Sequence, residues 1–83
     1  MKISIVEKHS DLNGISEKEL DLEQQDINVL LSSDIVVADR SHYRIIKKAY
    51  STDGHLILFV EGVKSYTIDE DFIEYYFINR GND

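Results

Sequence analysis

Apolar residues gather between Asp34 and Val63, in short runs separated by turn-forming residues. Ile35-Val36-Val37-Ala38 is a β-branched run, and Asp39-Arg40-Ser41-His42 after it is a polar break of hairpin-loop length. Tyr43 to Tyr50 places Tyr, Ile, Ile and Tyr among basic residues, a composition that suits a pleated, half-buried surface. Ser51-Thr52-Asp53-Gly54 then predicts a tight hairpin, because glycine takes positive φ without a Cβ clash and aspartate tolerates it. The return strand, His55 to Glu61, would point Leu56, Leu58 and Val60 to one side and Ile57 and Phe59 to the other. A strand apolar on both sides is covered above and below, so residues 55–61 are expected at the middle of the fold.

The flanks are patterned less clearly. Lys2 to Glu7 alternates apolar and polar until Val6, and predicts a first strand. His9 to Gly14 is turn-rich, although the apolar residues around Asn13-Gly14 are too few to announce a hairpin. Ser16-Glu17-Lys18-Glu19 fits a capping box and predicts a short helix over residues 16–24, with an ordered acidic loop as the alternative. Leu20 and Leu22 are two apart, the wrong spacing for a helical stripe. Ile27, Val29 and Leu31 repeat at period two and predict a strand over 27–31, while Ile27, Leu30 and Leu31 would also suit the end of a helix begun near residue 17.

Near the C-terminus two signals compete. Thr67-Ile68-Asp69-Glu70 is a second capping-box match, Asp69, Glu70 and Asp71 lie where a helix dipole favours negative charge, and Arg80-Gly81 suits a helix end. Ile68, Phe72, Tyr75, Tyr76 and Asn79 share helical spacing, yet Phe72 to Ile78 has the composition of a strand. The punctuation at both ends favours a helix over 68–79, its aromatic face against the sheet. Together these elements predict an α+β domain, mostly β. It would be a small, strongly bent antiparallel sheet or SH3-like barrel of four or five strands, with a C-terminal helix and a possible short N-terminal one.

Length and composition narrow this further. A chain of 83 residues makes one small domain, near the size where a core only just outweighs chain entropy. It contains no cysteine and no proline, so disulfides, thiolate metal sites and proline breaks are excluded. With no long apolar run, no membrane association is expected, and a cytoplasmic location fits. In general appearance the chain is similar to the small proteins that phages and mobile elements encode, a likeness that covers no particular residue.

The net charge of −7 is uneven: −4 over residues 1–26, +1 over 27–55 and −4 over 56–83. That distribution argues against general binding to nucleic-acid phosphate and favours a basic protein partner. Solubility alone is the plainer explanation of the acidity.

Candidate chemistry is sparse. His9, His42 and His55 lie in or beside turns without the paired spacing of a zinc site, and read as solvated. Asp39, Ser41 and His42 resemble a catalytic triad in type only, since three residues of one turn point in incompatible directions. The carboxylates at 69–74 lack the spacing and central glycine of a calcium loop, and the glycines are too scattered for a phosphate loop. No enzyme, metal or cofactor is expected. Two surfaces remain. Asp69, Glu70, Asp71 and Glu74 beside Tyr75 and Tyr76 would form an acidic ridge for a basic partner, one version being an inhibitor that occupies the basic site of a nucleic-acid-handling protein. Alternatively Arg40, Tyr43, Arg44, Lys47, Lys48 and Tyr50 would contact nucleic acid, although strict alternation divides them, with Tyr43, Ile45 and Lys47 on one side and Arg44, Ile46, Lys48 and Tyr50 on the other. The plainer readings are acids at a helix N-terminus and solvated strand positions. Homo-oligomerisation is open to a chain with exposed strand edges.

Overall fold

The computed structural model describes residues 1–12, 14–38 and 40–81. Five strands and two helices follow in the order β1 (Lys2–Lys8), β2 (Ile15–Asp21), α1 (Gln24–Leu31), β3 (Ile35–Ala38), β4 (Ser41–Ser51), β5 (His55–Glu61) and α2 (Glu70–Gly81). The strands form one strongly curled sheet, a half-barrel, in the order β2-β1-β5-β4-β3.

β5 is the middle strand, as its two-sided apolar pattern predicts, and Leu56 through Val60 are all buried. Its alternation divides the core in two. Leu56, Leu58 and Val60 join Ile3, Ile5, Ile27 and Leu30 on one face. Ile57 and Phe59 join Val6, Ile68, Phe72 and Tyr76 on the other. One helix therefore closes each face, α1 the first and α2 the second.

The β4–β5 hairpin turns at Asp53-Gly54 as expected, with Gly54 at φ +89° and its amide donating to the Ser51 carbonyl at 3.0 Å. The β1–β5 pair runs parallel, with Lys2 to Val6 in register with His55 to Phe59, so the sheet is mixed where an antiparallel one was expected. A central β1 buried on both faces also explains why Val6 breaks the alternation: Ser4 and Val6 are as buried as Ile3 and Ile5.

The N-terminal expectations are corrected. Residues 15–21 form strand β2, antiparallel to β1, rather than a helix over 16–24. The hairpin loop between them includes His9, whose amide donates to the Gly14 carbonyl, while Asn13 lies outside the described residues. Period two prevails over the capping-box match here because β1 supplies a ladder along the whole segment: Leu20 pairs with Ile3 and joins the first core face. Residues 27–31 are helical, not a strand. The chain must pass from one sheet edge, β2, to the other, β3, and α1 covers the face it crosses with Ile27 and Leu30, three residues apart and both buried. Val29 and Leu31, the partners of Ile27 in the period-two reading, are exposed.

α2 begins two residues later than the 68–79 expectation and extends through Gly81. Its N-cap is Asp69, whose Oδ1 accepts from the Phe72 amide at 2.8 Å. Ile68, Phe72 and Tyr76, spaced by four, are buried against the sheet.

Candidate functional site

Helix phase decides what α2 offers to a partner. Phe72 and Tyr76 face the sheet, so the outward stripe is Asp71, Glu74, Tyr75 and Ile78, at i, i+3, i+4 and i+7. All four are exposed, Ile78 at 58%. Asp71 and Glu74 have no hydrogen-bond or ion-pair partner among the described residues, so their charge is directed to solvent. Two apolar groups and two carboxylates thus share one rigid face.

The remaining residues of the expected ridge are otherwise engaged. Asp69 caps the helix. Glu70 Oε1 accepts from Lys47 Nζ at 3.0 Å, in an exposed ion pair. Tyr76 is not on the surface: it is 4% exposed, its ring meets Phe59 edge-on with centroids 5.4 Å apart, and its hydroxyl donates to the Glu17 carboxylate. Adjacent positions on a helix differ by about 100°, which separates Tyr75 from Tyr76.

The basic-aromatic strand is divided differently from the strict alternation of its sequence. The β4–β5 register shifts between Ile45 and Lys47, leaving Ile46 as the extra residue of a bulge. Tyr43 and Ile45 point to the α1 face; past the bulge Lys48 and Tyr50 take that face, paired with Leu58 and Leu56. Lys47 and Ala49 turn to the α2 face, paired with Phe59 and Ile57.

Most of the cations are occupied. Arg44 Nη2 lies 3.1 Å from Glu61 Oε1, Lys47 reaches Glu70, and Lys48 Nζ donates to the Leu31 carbonyl at the end of α1. Tyr43 is half-buried against the first core cluster, whereas Tyr50 is exposed. Arg40 sits apart at the β3–β4 turn, exposed and at φ +64°. No stripe of cations and rings forms from this set.

Two contacts escape sequence reasoning, because the partners lie 51 and 59 residues apart. Ser4 Oγ and His55 Nε2 share a 2.6 Å hydrogen bond, so His55 is not a solvated turn residue: it opens β5, half-buried, beside β1. The second is the Tyr76–Glu17 bond. Both border a cavity of about 590 Å³ whose walls include Lys2, Glu17, Glu19, His55, Tyr76 and Asn79. Ser4 is wholly buried, so its hydroxyl presents no surface to a substrate and the pair acts as a tie between two central strands. Ser41 and His42 are exposed neighbours on β4 that point to opposite faces, and Asp39 lies outside the described residues. Among the described residues no group of three or more His, Asp or Glu side chains is arranged to hold a metal ion. Nor is any helix among them long and apolar enough to cross a membrane.

No protein-family model, curated protein or solved structure matches this chain.

Proposed function

We propose that this chain is a non-enzymatic interaction domain that offers the outer face of α2 to a basic site on another protein. The observation that carries the reading is the stripe Asp71, Glu74, Tyr75 and Ile78, in which two carboxylates without a partner among the described residues lie beside exposed apolar groups. Such a face supplies both components of a specific interface: an aromatic or aliphatic anchor, and charges that steer the encounter and reject wrong partners. The net charge of −7, carried by residues 1–26 and 56–83, has the same sign. A protein that handles nucleic acid is the partner this chemistry favours, since its basic cleft is built for closely spaced negative charge. Occupying that cleft would make the chain an inhibitor or regulator, in keeping with its likeness to small phage-encoded proteins.

Affinity capture from a native host at low and high salt, with Asp71→Lys/Glu74→Lys and Ile78→Ala variants beside the unaltered chain, tests the reading. A partner retained at low salt, weakened at high salt and lost from the charge-reversed variant is the expected result. A partner held equally by all variants, or none at either salt, counts against it.

A further inference from the structure

Strand register places the walls of the cavity of about 590 Å³. On β1, Lys2 and Ser4 stand beside Asp21 and Glu19 of β2 on one flank and beside His55 and Ile57 of β5 on the other. Alternate residues of a strand share a face, so Lys2, Ser4, Glu17, Glu19 and His55 turn to the side that α2 covers. Tyr76 and Asn79, three residues apart on α2, supply the helix side of the wall.

Two of the polar groups at this cavity are held from the core. Ser4, wholly buried, shares its 2.6 Å hydrogen bond with His55 Nε2, and Tyr76, 4% exposed, donates to Glu17 Oε1. A buried hydroxyl that holds a wall group in place lowers the cost of ordering that group when something binds.

The charges around the cavity are of both signs and do not neutralise one another. Lys2 and Glu19 stand a diagonal step apart on neighbouring strands, within reach of long side chains, yet neither has an ion-pair partner among the described residues. Asp21, directly beside Lys2, accepts instead from the N-terminal ammonium at 3.2 Å. Asn79 donates Nδ2 to the Tyr75 carbonyl at 2.9 Å, which leaves its Oδ1 as an acceptor. Three acceptor side chains, Glu17, Glu19 and Asn79, thus line the β2 and α2 walls, and the ammonium of Lys2 stands on β1. The complement of such a site carries a cation with several donors at one end and an anion at the other. A guanidinium, planar and with five N–H donors, meets several acceptors at once where an ammonium acts as a point charge.

We propose that this cavity binds a small amphoteric molecule of the basic amino-acid type, its guanidinium among Glu17, Glu19 and Asn79 and its carboxylate at Lys2. The volume of about 590 Å³ falls in the range of about 300–1,000 Å³ that small-molecule sites occupy. The site shares no residue with the outer stripe of α2, and its occupancy is independent of what that stripe binds.

Titration of the full chain with L-arginine, followed through backbone amide shifts by nuclear magnetic resonance, tests the proposal. Shifts at Lys2, Glu19, His55 and Asn79 that saturate by about 10 mM are expected, with a Kd of about 1 mM or tighter. Agmatine, which lacks the carboxylate, and norvaline, which lacks the guanidinium, should each bind ~10-fold or more weakly. Glu19→Gln and Lys2→Met alter exposed side chains, so circular dichroism should be unchanged while arginine binding falls ~10-fold or more. Lys2→Met should not weaken agmatine, which has no anion for Lys2 to hold. The absence of saturable shifts by that concentration, shifts confined to another part of the chain, arginine bound no better than agmatine or norvaline, or arginine binding indifferent to either variant overturns the proposal.

Discussion

Lys47 and Lys48 are neighbours on β4, and each reaches a different helix on an opposite face of the sheet. Lys47 Nζ lies 3.0 Å from Glu70 in the first turn of α2, and Lys48 Nζ donates to the Leu31 carbonyl at the end of α1. The bulge at Ile46 sets this phase. The last turn of α1 has no basic residue of its own, so Lys48 supplies from a strand the positive charge that a helix C-terminus favours.

The two lysines should therefore differ in energetic weight. Lys48→Ala removes a charge from a helix end and, among the described residues, the donor to the Leu31 carbonyl, and should cost about 0.5–1 kcal/mol. Lys47→Ala breaks an exposed ion pair and should cost less than about 0.5 kcal/mol. Urea denaturation of both variants checks the order, and raising the salt should shrink both effects.

Phe59→Ala should be the most damaging truncation in β5. The ring is wholly buried and meets Tyr76 and Phe77 edge-on, with centroids 5.4 and 5.8 Å away. Phe→Ala in a core costs about 3–5 kcal/mol, against a total stability of about 5–15 kcal/mol for a whole domain. A near-ultraviolet dichroism spectrum weakened at 25 °C, with a shallow or absent thermal transition, is the expected result.

β5 and its hairpin were legible because their signals are local: an apolar run covered on both faces, and a turn with glycine at the residue that takes φ +89°. What local signals could not carry was the choice of partner. Ser16 and Glu19 satisfy a capping box in type, yet β1 alongside turns the segment into a strand. Nothing in residues 2–6 announces parallel pairing with 55–59, and nothing around Ile46 announces the bulge that reverses the sides of Lys47 and Lys48. In the candidate site, helical spacing groups Tyr75 and Tyr76 with Ile68 and Phe72 against the sheet, while the acidic ridge takes in the same two tyrosines beside Asp71 and Glu74. The structure separates them, Tyr76 inward with Phe72 and Tyr75 outward with Asp71, Glu74 and Ile78, because the phase of α2 is set by Phe72 docking on a sheet whose curl the sequence does not state.

The start of α2 offers a discriminating test. Thr67 and Asp69 are both capping residues by type, and Asp69 makes the bond to the Phe72 amide. Asp69→Ala should cost about 0.5–2 kcal/mol, as the loss of an N-cap does, and Thr67→Ala, at an exposed position, less than about 0.5 kcal/mol. Chemical denaturation of the two single variants decides it; equal losses would mean that Thr67 shares the cap.

Gly54 sits at φ +89°, and beyond its two chain neighbours no described residue comes within 4 Å of where a Cβ would stand. Gly54→Ala therefore meets strain without a clash, and should cost about 1–2 kcal/mol by backbone conformation alone. Gly54→Asn, a residue that tolerates positive φ, should recover part of the loss. Thermal unfolding of both variants measures the difference, and a loss in Asn as large as in Ala would point to a steric cause instead.

Tyr75 and Tyr76 turn the functional proposal into a separation of effects between adjacent residues. Tyr76 is held by Phe59, by the Glu17 carboxylate and by the second core cluster, so Tyr76→Ala should cost about 3–5 kcal/mol, as loss of a buried aromatic does. Tyr76→Phe keeps the ring and leaves Glu17, an exposed acid, to water, and should cost about 1 kcal/mol. Tyr75, 37% exposed on the outer stripe, should give a Tyr75→Ala variant within about 1 kcal/mol of the unaltered chain. If the outer face of α2 is the docking surface, that same variant should lose captured partner ~10-fold or more, as a central aromatic anchor does when truncated. Tyr76→Phe should keep its partner, because its small stability loss leaves the outer stripe unchanged. Denaturation and capture on these variants together separate a face that binds from a core that merely holds the helix in place. A Tyr75→Ala chain that is as stable and as well captured as the original would move the docking surface off α2.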